Sequence, residues 1–84
     1  MLRRFEAAVL QSVCRATKMS KASHVPEQAF LRRFPGAERE ARKALKKLIG
    51  LGHVKMHPTS DGMTYDLTNE GWNLCIEMND AAMR

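Results

Sequence analysis

The 84 residues predict a mainly α-helical fold with one small β-hairpin, and three observations carry that expectation. Apolar residues recur at three- and four-residue spacing in several stretches, as on the buried face of a helix. A Pro-Gly pair separates a short helical stretch from a longer one. Two runs of alternating apolar and polar residues flank a loop, Thr59-Ser60-Asp61-Gly62. The expected order is helix, short strand, helix, turn, helix, strand, loop, strand, helix. That amounts to a three-helix core, a two- to three-stranded sheet and a C-terminal helix, in one domain over residues 1–84.

The first helix is expected from Arg3 to about Thr17, with Leu2, Phe5, Val9 and Val13 inward and Ala8, Leu10 and Cys14 widening the apolar face. Lys18 to Lys21 is a polar connection. Ser23-His24-Val25 is extended, because a residue before proline is pushed out of the helical region. Pro26 suits a first helical position and Glu27 the positive end of a helix dipole, which predicts a short second helix over Pro26–Arg33 with Ala29, Phe30 and Phe34 inward. Phe34-Pro35-Gly36-Ala37 then makes a sharp turn, proline presetting one dihedral and glycine tolerating a positive one. A tight turn between a short and a longer helix is the helix-turn-helix pattern.

The third helix is expected from about Ala37 to Leu51, with Ala41, Ala44, Leu45, Leu48 and Ile49 inward and Gly52 as its left-handed stop. In the hairpin, apolar residues must share a face. Pairing Val54 with Leu67 and Met56 with Tyr65 turns all four inward and sets Lys55 opposite Asp66 on the solvent face. Asn69 is expected to cap a fourth helix, with Trp72, Cys75, Ile76 and Met83 on one side and Leu74, Met78 and Ala81 on another.

Charge is distributed unevenly. Between Leu31 and Lys47 lie Arg32, Arg33, Arg39, Arg42, Lys43, Lys46 and Lys47 against only Glu38 and Glu40, which accounts for the whole net charge of +5. Elsewhere the charges cancel. A net charge gathered on one element implies a local surface for an anion such as DNA. An i,i+4 pair such as Glu38–Arg42 contributes only about 0.2–0.5 kcal/mol, too little to account for so many cations.

The element order, with LRRFPGAEREARKALKKLIGLGHV followed by a hairpin ending YDLTNEG, resembles the winged helix-turn-helix superfamily over Phe5 to about Cys75. LKKLIGLGHV looks like a recognition helix running into the first wing strand, and YDLTNEG like the second wing strand entering a C-terminal helix. The resemblance implies that the third helix enters the DNA major groove while the hairpin wing touches backbone or minor groove. Most such proteins are bacterial or archaeal transcription regulators, often dimeric.

The residues expected to meet double-stranded DNA are Arg39, Arg42 and Lys43 at bases or nearby phosphates, and Lys46 and Lys47 further along the backbone. Arg32 and Arg33 are expected to clamp phosphate before the turn, and Lys55, His57, Thr59 and Ser60 to donate from the wing. A homodimer is expected to use a second apolar face, with Leu10 and Cys14 on the first helix and Leu74, Met78 and Ala81 on the last. A twofold dimer spaces its recognition helices about 34 Å apart. The rival reading is a protein-interaction winged helix in a transcription or replication assembly, its basic helix meeting an acidic partner; Glu38 and Glu40 favour it.

Other classes are disfavoured. With 44% apolar and 27% charged residues the chain reads as an ordinary globule, not a disordered tail. No apolar run approaches the roughly 20 residues of a membrane span. The Arg-bearing N-terminus has a transit-peptide flavour, but Glu6 interrupts it and its removal would strip a wall from the core. His53 and His57, four apart on a strand and so about 13 Å distant, do not share a metal, and His24 is alone. Cys14 and Cys75 have no CxxC spacing and sit on apolar faces. They are expected as free thiols of a cytoplasmic protein, with a disulfide open to them if the first and last helices pack together. No cofactor, small-molecule ligand, glycine-rich phosphate loop or catalytic constellation is expected.

Overall fold

In the computed structural model, which describes residues 3–17, 25–60 and 62–82, the chain forms four helices and a three-stranded antiparallel sheet. The chain runs α1 (Arg4–Ala16), β1 (Val25–Pro26), α2 (Gln28–Leu31), α3 (Glu38–Gly50), β2 (Val54–Thr59), β3 (Gly62–Leu67) and α4 (Asn69–Ala82). The result is a small, mainly helical domain. Its sheet has the order β1-β3-β2. Among the described residues no helix is long and apolar enough to cross a membrane. Leu2, His24, Asp61 and Met83, and the side chain of Ala81, lie outside the described residues.

The apolar stripes converge on one core. Val9, Leu10 and Val13 from α1 meet Phe30 and Leu31 from α2, Ala41, Ala44, Leu45 and Leu48 from α3, and Val54, Tyr65 and Leu67 from the sheet. Phe30 packs edge-on against Tyr65, the ring centroids 5.9 Å apart. Phe5 stays partly exposed at the rim and meets Phe34 edge-on at 5.4 Å.

Both turns around α3 follow from glycine. Ala37 N–H donates to the Phe34 carbonyl at 3.0 Å, closing a turn in which Gly36 takes φ 78°. At the far end Gly52, at φ 85°, donates to the Ile49 carbonyl (3.1 Å) and His53 to the Leu48 carbonyl (2.9 Å). This is the Schellman closure that satisfies carbonyls left over at a helix end.

The hairpin register is Val54↔Leu67, Lys55↔Asp66 and Met56↔Tyr65, as the alternation predicts. Two side chains depart from expectation. Met56 is 54% exposed, because the core ends at Val54 and Tyr65 and no described residue buries the strand beyond. Asp66 is largely buried instead of wet, with Lys55 Nζ 4.0 Å away, which is attraction without a hydrogen bond.

Two boundaries and one buried position also differ. Pro26 does not start a helix: it lies in β1 opposite Thr64, and α2 begins only at Gln28. β1 is an edge strand, where a residue lacking N–H is tolerated. Thr68, not Asn69, caps α4. Its hydroxyl oxygen accepts from Gly71 N–H at 3.0 Å while the hydroxyl donates to the Gly52 carbonyl, and Thr68 N–H donates to the His53 carbonyl at 3.2 Å. Ile76, expected inward with Trp72 and Cys75, stands 37% exposed.

The thiols are not free. α1 and α4 pack side by side, bringing the Cys14 and Cys75 Cα atoms to 6.3 Å, and the two are joined in a disulfide. That separation lies within the usual span of such bridges. Leu10 and Cys14 are therefore core residues and leave no second apolar face on α1. Leu74 and Met78 are partly buried against the same core.

Candidate nucleic-acid interface

α3 buries Ala41, Ala44, Leu45 and Leu48, so at 100° per residue the opposite side carries Arg39, Lys43, Lys46 and Gly50. These positions form a straight ridge along the exposed face. Among the described residues Arg39, Lys43 and Lys46 have no acidic partner within salt-bridge distance. Gly50 ends the ridge with no side chain and open space above it.

The two cations flanking this ridge are tied sideways. Arg42 Nε donates to Glu27 Oε1, across from the segment before α2. That contact, with its Coulomb attraction, raises the Arg42 pKa above its ordinary value. Lys47 Nζ lies 3.1 Å from Glu6 Oε2 on α1. Glu6 also accepts from Arg3 N–H at 2.9 Å, capping α1. The Arg3 N–H first, and Lys47 second, hold the Glu6 carboxyl below its usual value. Arg42 and Lys47 thus steady α3 from both sides and leave the central cations outward. Exposed ion pairs of this kind are individually weak.

Arg32 and Arg33 are exposed between α2 and the turn. Glu38 and Glu40 are exposed in the first turn of α3, where they favour the helix dipole. On the hairpin, Lys55, His57 and Ser60 are exposed, whereas Thr59 is half-buried and its hydroxyl donates to the Gly62 carbonyl at 2.8 Å, inside the turn. That donor serves the hairpin first. Between α3 and the sheet runs a cleft of about 170 Å³ bordered by Arg42, Lys46, Ile49, Met56 and Tyr65, with Glu27 at its edge. Burial, then the Glu27 charge, raises the Tyr65 phenol pKa.

The structure brings Arg39, Lys43 and Lys46 together on one ridge, whereas Arg42, expected beside Arg39 and Lys43, pairs with Glu27. It sets Arg42 and Lys47 aside as tethers. Sequence reasoning missed Glu27 as the partner of Arg42, Gly50 as the flat end of the ridge, and the exposed apolar side chains of the hairpin. The spacing of Gly50 eleven positions after Arg39 was a usable signal; the Glu27 contact spans 15 positions and left none. No protein-family model matches the chain, and no curated protein matches it in sequence.

Proposed function

We propose that this chain is a winged helix-turn-helix domain that binds double-stranded DNA, acting as a small transcriptional regulator. α3 enters the major groove, and the β2–β3 hairpin, as the wing, lies against the backbone. The observation that carries this reading is the ridge Arg39–Lys43–Lys46, outward and without acidic partners among the described residues, closed by a glycine that lets a backbone approach. Arginine in such a place can hold guanine O6 and N7 together, and the lysines neutralise phosphates. Arg32 and Arg33 extend the positive surface beyond the turn.

The element order supports this family assignment. Three helices, a glycine-stopped third helix and a hairpin feeding a last helix are the arrangement that the resemblance implies. The rival reading, a protein-interaction module for an acidic partner, draws support from Glu38 and Glu40, which stand exposed at the end of α3 that would approach a phosphate backbone. Catalysis is not part of either reading. A homodimer would have to use the partly buried Leu74 and Met78 with the exposed Ile76.

Titrating a mixed-sequence duplex at low and at physiological salt separates the two. DNA binding through this ridge appears at low salt and weakens steeply as salt rises, because each neutralised phosphate releases counterions. No retention of duplex even at low salt rejects the DNA reading and leaves the interaction module.

A further inference from the structure

Met56 and Met63 are 54% and 42% exposed, and Pro58 is exposed between them. The register sets Pro58 opposite Met63 and Met56 opposite Tyr65. With side chains alternating along a strand, these three share the sheet face of buried Val54, Tyr65 and Leu67. The core covers that face only as far as Tyr65. Beyond it the strands continue at about 3.3 Å per residue, so the apolar row projects past the body of the domain as a tongue.

Two features fit this tongue to a particular partner. Its tip is braced from within: Thr59 donates to the Gly62 carbonyl, and the Thr64 hydroxyl donates to the His57 carbonyl. Its base is continuous with the cationic ridge of α3, because Met56 borders the same cleft as Lys46. A partner for this surface must present an apolar face and negative charge within one side chain's reach. A base-pair step does so, a stack of apolar faces held between phosphates.

We infer that the hairpin is a wedge: Pro58 and Met63 enter a base-pair step of the bound duplex and kink it, while Lys46 holds the adjacent phosphate. The inference rests on the DNA-binding reading and adds to it a mechanical action and a source of selectivity. Methionine and proline are among the side chains that unstack base steps, giving kinks of about 20–90°. Methionine adapts its shape to an irregular gap, and proline is stiff. Pyrimidine–purine steps open most easily, so TA and CA steps are preferred without a hydrogen bond to any base.

The test uses a duplex of about 30 base pairs with a central TA step and a fluorophore at each end, so that a kink of the expected size shortens the end-to-end distance. At saturating protein the natural chain raises energy transfer. The double variant Pro58→Thr, Met63→Gln alters only exposed positions, and circular dichroism checks that it is folded. It binds up to about tenfold more weakly, and its bound duplex stays straight. Replacing the TA step by a stiff A-tract weakens binding of the natural chain and not of the variant. A bound duplex that stays straight with the natural chain overturns the wedge and leaves the DNA-binding reading standing. A variant that bends the duplex as fully as the natural chain removes Pro58 and Met63 from the action. Absence of any duplex retention at low salt sinks the DNA-binding reading and the wedge together. Sedimentation with phosphatidylserine vesicles, lost in the variant and unaccompanied by bending, assigns the tongue to a lipid surface and overturns the proposal.

Discussion

Replacing Gly71 by alanine sets two physical effects against each other. In a helix, alanine is favoured over glycine by about 1 kcal/mol, so propensity alone expects a more stable protein. The packing says the opposite. A Cβ at position 71 would overlap the His53 carbonyl oxygen and stand only 2.8 Å from its carbonyl carbon and 3.2 Å from its Cα. Carbon atoms rest about 3.5–4.0 Å apart, and here backbone faces backbone, so no side chain can swing aside. The first turn of α4 must move away from the start of β2. That movement opens the Thr68 N–H bond to His53 and the Thr68 hydroxyl bond to Gly52, each contributing about 1 kcal/mol. It also loosens the Thr68 cap on Gly71, at about 1 kcal/mol more. Set against the propensity gain, the net loss is about 2 kcal/mol, and Tm falls by roughly 10 °C in a domain of this size. Thermal unfolding followed by circular dichroism reads it. Gly50→Ala is the control: nothing lies within 4 Å of its added methyl, so Tm rises by a few degrees at about 0.5–1 kcal/mol. Should Gly71→Ala melt at or above the natural protein, the account of this junction is wrong.

Further expectations concern the bridge, the tethers and the ridge. Reducing Cys14–Cys75 frees a loop spanning 61 positions and lowers stability by about 2–4 kcal/mol; melts with and without a thiol reductant read the loss, and two titratable thiols in the folded, oxidised protein count against the bridge. The folded-state pKa of Glu6 is depressed, so its contribution is present above the ordinary value of 4.5 and lost as pH falls through the folded value. The Tm gap between the natural chain and Glu6→Gln is therefore full at neutral pH and closes on acidification; a gap that ignores pH refutes this. Replacing Lys43 and Lys46 together by glutamine lowers the log–log salt slope of duplex binding by about 2, near 0.9 per phosphate contact. Glu27→Gln, which releases Arg42, raises the slope by up to about 1; a fall in slope would mean that the tether presents Arg42 to DNA and does not withhold it.

What the sequence made legible was local and periodic. The α3 stripe, the glycine stops at Gly36 and Gly52, and the hairpin register each follow from residues within a few positions of one another. What escaped it depended on distant partners. Pro26 read as a helix start until β3 offered an edge to pair with. Asn69 read as the cap, although Thr68 can also reach back to Gly52 across 16 positions and so takes the role. Arg42 invited pairing with Glu38 one turn away, yet Glu27 sits closer in space. Met56 obeyed the alternation that turns a residue inward, but alternation cannot say where the core ends. The basic ridge itself was legible because helix geometry and an excess of cations suffice to place it.

The junction of Gly52, His53, Thr68 and Gly71 has one more consequence. Helix ends ordinarily fray independently of one another, each losing its last turn on its own. Here the stop of α3 and the start of α4 share the same two carbonyl-bearing residues, so neither terminus can unwind without dragging the other. The far end of the ridge is clamped by the whole length of the final helix, and amide exchange at His53 and at Trp72 should rise and fall as one cooperative unit.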